Sequence, residues 1–191
     1  MDNQIKIVVI EGPSGAGKDT LIRQLIELHP DTYVKMPSIT DRPMRKDETQ
    51  GNPYFHVTKE EFEAKIKSGE VFEYTVSSRD GRYRGMNKKI IDDILATDKI
   101  QIKDCDWVGI EALRRIYPGK VLAICLHVPK EEIAKRLLER GGDPKDIENR
   151  LNDYDEYAQK IAKYCDIIID NIKLSDCARS IHNIITYNYI S

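Results

Sequence analysis

An apolar run that breaks directly into glycine constrains this chain more than any other feature. Ile5-Lys6-Ile7-Val8-Val9-Ile10 reads as a buried strand. Gly12-Pro13-Ser14-Gly15-Ala16-Gly17-Lys18 follows it and fits the pattern GxxxxGK. From Lys18, the residues Leu21, Ile22, Leu25, Ile26 and Leu28 recur at helical spacing until His29-Pro30 stops them. In a strand–loop–helix setting the glycines let backbone N–H groups turn inward around phosphate oxygens, and the helix N-terminus adds a positive field. Lys18 supplies a mobile charge for β- and γ-phosphates. Gly12, Pro13, Ser14, Gly15, Ala16, Gly17, Lys18, Asp19 and Thr20 are therefore the candidate ATP-binding residues, and magnesium bound with ATP is the expected cofactor.

Position 19 departs from the usual Ser or Thr whose hydroxyl holds the metal. A carboxylate about 5 Å from a phosphate charge costs roughly 3 kcal/mol at an effective dielectric near 20. Asp19 then either faces the magnesium ion, directly or through water, or points away and complements the helix N-terminus. Thr20 could reach an α-phosphate from one position further along.

Further short apolar runs at residues 100–102, 121–126 and 167–169 read as parallel strands. Helical spacing separates them: Ile90, Ile91, Ile94 and Leu95; Ile110, Leu113 and Ile116; Ile133, Leu137 and Leu138. One long amphipathic helix is expected through Ile147, Leu151, Tyr154, Ala158, Ile161 and Ala162. Strands alternating with helices imply an α/β fold, a parallel sheet covered by helices on both faces. At 191 residues this is a single domain. Its core is expected at residues 1–36 and 88–191, with a polar, turn-rich and aromatic insertion at about 37–87 holding one short helix near residues 60–66.

A net charge of −2 offers no surface for nucleic acid, and no apolar run is long enough for a membrane span. The start of the sequence lacks a basic stretch followed by a long apolar one, and the four cysteines form no CxxC pair, so a reduced cytoplasmic protein is expected, as a monomer or homodimer.

The insertion carries Ser38, Arg42, Arg45, Glu48, Gly51 and Tyr54. Two arginines three apart, flanked by hydroxyls, suit a phosphate monoester through bidentate charge-assisted donors. Taken with the phosphate loop, this Ser-x-x-x-Arg-x-x-Arg-x-x-Glu-x-x-Gly-x-x-Tyr pattern resembles the guanylate kinase family. The likeness continues through Val71-Phe72-Glu73-Tyr74, Tyr83-Arg84-Gly85 and Asp104-Cys105-Asp106. It extends to Arg136-Leu137-Leu138-Glu139-Arg140-Gly141, Arg150-Leu151 and Asp170-Asn171, with a small insertion near residues 77–80. The Gly-Lys-Asp phosphate loop also resembles ribose 1,5-bisphosphate phosphokinase.

The resemblance implies a P-loop kinase with an inserted acceptor-binding subdomain and a helical lid at about 134–151. It implies transfer of the ATP γ-phosphate to GMP or dGMP. Ser38, Arg42, Arg45 and Tyr54 would bind the acceptor phosphate, Glu48 would brace the arginines, Glu73 would accept from the guanine N1–H and 2-amino groups, and Tyr83, Arg84 and Met86 would also line the acceptor site. Asp104 and Asp106 would lie between the nucleotides, Asp104 reaching the metal through water. Arg136, Arg140 and Arg150 would close over the transferring group, so that with Lys18 and Arg42 they form the expected catalytic set.

Departures from the family pattern gather around the acceptor. A phosphate-facing tyrosine has become Arg84, and the hydroxyl expected to donate to the guanine O6 has become Met86, leaving a neighbour such as Asn87 to supply it. Val108 replaces a glutamine, and Asp41 stands in the usual Thr-Thr-Arg triplet. A sugar-bisphosphate acceptor would offer no guanine edge for Glu73 to read. A non-catalytic interaction module of the same fold would have lost the phosphate loop that Lys18 and its glycines retain.

Overall fold

The computed structural model describes residues 4–78, 80–152 and 154–187. The phosphate-loop strand is β1 (Ile7–Glu11), buried along its whole length, and α1 (Lys18–Leu28) follows the loop. With β2 (Tyr33–Lys35), β7 (Ile100–Lys103), β8 (Val121–His127) and β9 (Ile167–Asp170) it forms an all-parallel five-stranded sheet in the order β2-β7-β1-β8-β9. Parallel pairing forces each connection to cross a face of the sheet, and helices supply the crossings.

The pleat of β1 divides the core. Val8 and Ile10 pack with Leu21 and Leu25 of α1 and with Ile181 and Ile185 of α8 (Leu174–Ile185), a helix that sequence periodicity did not flag. Ile7 and Val9 point the other way, onto Ile91 of α3 (Lys88–Leu95) and Ile110 and Leu113 of α4 (Trp107–Ile116). Both faces of the sheet are thus covered, the layering that the alternating pattern implied.

After β8 come α5 (Lys130–Glu139), α6 (Pro144–Asn152) and α7 (Tyr154–Ile161). The long amphipathic helix expected here is observed as α6 and α7; its middle, residue 153, lies outside the described residues, as does residue 79 in the short insertion. Among the described residues no helix is long and apolar enough to cross a membrane. All four cysteines are free.

The polar stretch before α3 is more ordered than its sequence suggests. It forms a second, four-stranded sheet in the order β4-β3-β6-β5, from β3 (Ser38–Thr40), β4 (Tyr54–His56), β5 (Val71–Val76) and β6 (Tyr83–Asn87). A helix, α2 (Lys59–Lys67), lies against it, started by a capping box between Thr58 and Glu61. Phe62 of α2 is fully buried with Ile39 and Val71 in a small core of its own. These strands run only three to six residues, and much of β4 and β5 is only partly covered, so they carry little apolar alternation.

Gly85 on β6 is wedged between β3 and β5, paired with Ile39 and Tyr74. A Cβ there would stand 2.5 Å from the Glu73 carbonyl oxygen and 2.8 Å from Tyr74 Cβ. Gly85→Ala is therefore expected to destabilise the protein by about 1–3 kcal/mol through overpacking. A denaturant titration checks this as a lower midpoint at unchanged slope.

Candidate active site

The phosphate loop leaves the carboxyl edge of the parallel sheet, where ligands of open α/β sheets bind. Gly17 caps α1 with φ 88°, a left-handed conformation that favours glycine. A Cβ there would also press to 3.1 Å from the Asn171 amide nitrogen. That amide, buried behind the loop, donates to the Ala16 carbonyl at 2.7 Å, while the Asn171 backbone N–H holds the His127 carbonyl at 2.9 Å. One side chain after β9 thereby fixes the loop to the sheet. Lys18 turns its ammonium back across the loop, donating to the carbonyls of Gly12 and Pro13. Thr20 is half-buried in the first turn of α1, and Asp19 beside it is largely exposed, its carboxylate 4.0 Å from the Lys35 ammonium.

A cavity of about 480 Å³ opens between this edge and the second sheet. It brings Lys18 and Asp19 together with Ser38, Tyr54, Glu73, Arg84, Met86, Asp104 and Asp106. Burial raises the Glu73 pKa above the ordinary carboxylate value, the nearby Asp106 adding to it, while Lys103 and Arg84 oppose. Asp106 caps α4 by accepting from the Gly109 N–H at 3.1 Å.

Two charged residues that sequence reasoning passed over also line it. Glu11, 5% exposed at the end of β1, accepts from the Tyr157 hydroxyl, and burial pushes its pKa up against that bond and the charge of Lys18. Lys103, 7% exposed at the end of β7, donates to the Ser38 hydroxyl. Burial lowers its pKa, and neighbouring Asp104 pulls the other way. The signal was present in both cases: a charged residue closing an otherwise buried strand needs a reason to be there.

The expected phosphate-binding pair borders the cavity through Tyr54. One Arg42 guanidinium nitrogen donates to both Glu48 oxygens, at 2.6 and 2.8 Å, and the guanidinium lies 5.5 Å over the Tyr54 ring. Glu48 accepts from the Arg45 backbone N–H at 2.9 Å, leaving the Arg45 side chain exposed. Arg84 donates to the Tyr54 hydroxyl at 3.2 Å.

Two sequence expectations change here. Tyr83 does not reach the cavity: one step from Arg84 on β6, it faces the opposite side, stacks on Phe62 at 5.0 Å and donates to Glu63. Asn87 does not reach the cavity: it is 2% exposed, its amide donates to Glu70 and its carbonyl oxygen caps α3 at the Ile90 N–H.

The three helical arginines separate. Arg136 on α5 pairs with Glu132 at 2.8 Å and donates to the Asn171 and Ile172 carbonyls. Arg150 on α6 donates to the Ser14 hydroxyl, bringing α6 onto the phosphate loop. Arg140 ends α5 and is exposed.

A phosphate loop at the edge of a parallel sheet, facing a charged cavity walled by a second sheet, defines a P-loop phosphotransferase. The family model described as guanylate kinase matches residues 4–188, and the chain belongs to that family. A guanylate kinase of Photorhabdus laumondii is 34% identical over 184 residues, covering 94% of this chain and 86% of its own. One from Helicobacter pylori (strain J99) is 32% identical over 99% of this chain and 94% of its own. The fold also matches the crystal structure of guanylate kinase from Anaplasma phagocytophilum, with a TM-score of 0.68 at 24% identity, covering 99% of this chain and 88% of that one.

The Arg45 N–H and the Arg42 guanidinium hold the Glu48 pKa below its ordinary 4.5. A depressed carboxylate contributes stability that is complete above the ordinary value and lost as pH falls through the lowered one. Glu48→Gln is therefore expected to flatten the acid side of the stability curve relative to wild type. Melting temperatures measured from pH 6 down to about pH 3 check the difference.

Proposed function

We propose that this chain transfers the γ-phosphate of ATP to GMP or dGMP, giving ADP and GDP or dGDP. The observation that carries this reading is the cavity itself, which sets Lys18 of the phosphate loop and Glu73 of the second sheet on shared walls. A purine nucleotide between them would meet a phosphate-handling end and a carboxylate able to accept two adjacent N–H donors.

Phosphoryl transfer asks a protein mainly for positioning and for neutralisation of spreading charge. Residues 12–20 would hold ATP, with Lys18 on the moving phosphoryl group. Arg42, Arg45 and Tyr54 would hold the acceptor phosphate, with Arg84 reaching it beside Tyr54 and Glu48 holding Arg42 in place. Residues 37–87 would serve as the acceptor-binding subdomain and residues 134–151 as a lid bringing Arg136, Arg140 and Arg150 over the reaction within one domain. We place the protein in the cytoplasm.

Magnesium fits the donor set. Asp19, Asp104 and Asp106 offer hard carboxylate oxygens along one cavity. Among the described residues no three His, Cys, Asp or Glu side chains form a cage. That arrangement suits an ion held by one or two carboxylates, water and substrate phosphates. Asp19 and, through water, Asp104 would hold it, and when bound it would neutralise β- and γ-phosphate charge.

The test is ADP release measured across GMP, dGMP, AMP, CMP, UMP, IMP and ribose 1,5-bisphosphate. GMP or dGMP should be the best acceptor, with IMP poorer for lack of the 2-amino group. A higher kcat/KM for AMP or ribose 1,5-bisphosphate overturns the reading. Asp19→Ala should raise the magnesium concentration for half-maximal rate while Asp19→Ser keeps it near wild type; an unchanged requirement in the alanine variant would assign Asp19 to the helix N-terminus alone.

A further inference from the structure

The guanine edge presents an acceptor, O6, beside two donors, N1–H and the 2-amino group. Glu73 can take the two donors, which leaves O6 in need of a donor from the cavity wall. Met86 has none: it is 1% exposed and packed with the core that holds Ile7 and Val9. Asn87 is 2% exposed and does not line the cavity, its amide turned to Glu70 and its carbonyl oxygen to the Ile90 N–H.

Lys103 remains. Its ammonium faces the same cavity as Glu73 and Met86, and among the described residues its sole hydrogen-bond partner is Ser38 Oγ. An ammonium carries three donors. Two are left in a buried position, where an unmatched charged donor is costly. Ser38, having accepted from Lys103, keeps its own proton to donate. The pair offers three donors against one remaining Ser38 lone pair, and Lys103 favours the ionised form of Glu73. Ser38 pairs with Tyr54 across β3 and β4, so the Lys103–Ser38 pair stands between Glu73 and the Tyr54 side of the cavity; its effect on Glu73 links it to the base end.

Resting on the guanine reading above, we propose that Lys103 is a specificity-determining residue, donating with Ser38 to the 6-oxo group of the acceptor purine in place of the hydroxyl that Met86 lacks. Ser38 is thereby moved from the acceptor phosphate to the base. An adenine offers a 6-amino donor at the same point, which leaves the ammonium without an acceptor.

The experiment compares kcat/KM for GMP, IMP and AMP in wild type, Lys103→Met and Lys103→Met/Met86→Ser. Lys103→Met keeps the length of the side chain and removes its donors. A charge-assisted bond is worth about 1.5–3 kcal/mol, so the GMP-to-AMP ratio should fall roughly tenfold to a hundredfold. The GMP-to-IMP ratio should hold, because both bases carry the 6-oxo group. Adding Met86→Ser should recover part of the guanine preference. Each ratio is taken within one preparation, so a loss of folded material cancels. An unchanged GMP-to-AMP ratio, or an equal loss for all three acceptors, overturns the proposal. A wild type that does not use GMP sinks the functional reading instead, and the two failures are separable.

Discussion

Complete burial of β1 is the constraint from which the site follows. With Ile7, Val8, Val9 and Ile10 all fully buried and committed alternately to the two cores, the strand cannot slip by a residue without exchanging its faces. Its register against β7 and β8 then fixes where the glycine loop begins. Asn171 and Arg136 add the second anchor, tying the Ala16 carbonyl and the end of β9 together behind the loop. Held at both ends, the loop is preorganised, as the phosphate receptor proposed here must be.

Charge is arranged around that receptor with little room to spare. The cavity wall carries Lys18, Lys35, Arg84 and Lys103 against Glu11, Asp19, Glu73, Asp104 and Asp106. Desolvation raises Glu11 and Glu73 and lowers Lys103, so each is held nearer to its neutral form than it would be in water. Such a wall gains from any ligand that supplies matching partners, and a substrate rich in both phosphate oxygens and base donors is one. The outer cluster of Arg42, Glu48 and His56 also holds its own segment. Its ion pair and the His56 bond to the Arg42 carbonyl at 2.7 Å stiffen the segment between β3 and β4.

Legibility from the sequence tracked burial. β1 and β8, buried apolar runs in a parallel sheet, could be read directly, as could the half-exposed apolar run of β9 at its edge, and α1, α3, α4 and α5 from their spacing. The second sheet could not: β5 runs from a buried Val71 to an exposed Val76, and β3 and β4 have three residues each, too short for a period to show. The phosphate loop was legible because its chemistry is local. The cavity was not, because it joins the end of β7 to strands tens of residues away. Lys103 was hidden for that reason, following an apolar run and meeting Ser38 only through the fold. Tyr83 shows the converse error. The family resemblance put Tyr83 in the acceptor site together with Arg84, and the pleat sends the two to opposite faces.

The departures from the family pattern become intelligible as one local rearrangement. Asp41, where the pattern has threonine, is 5% exposed and accepts the Tyr83 N–H at 2.7 Å, while the Thr40 hydroxyl donates to the Tyr83 carbonyl at 2.7 Å. Both backbone groups of Tyr83 are thus met from β3 and its end, which pins the start of β6 and sets the pleat that aims Arg84 and Met86 inward. Arg84 then has Tyr54 within reach, restoring a polar contact at the phosphate side. Met86 restores nothing polar; it joins the core under the cavity floor. A methionine is acceptable there only if the floor need not donate, and on the proposal above the buried Lys103 ammonium of the other sheet removes that need. Burying Lys103 in turn requires an anion beside it and an acceptor in front of it. Asp104 and Ser38 meet those two conditions before any substrate arrives.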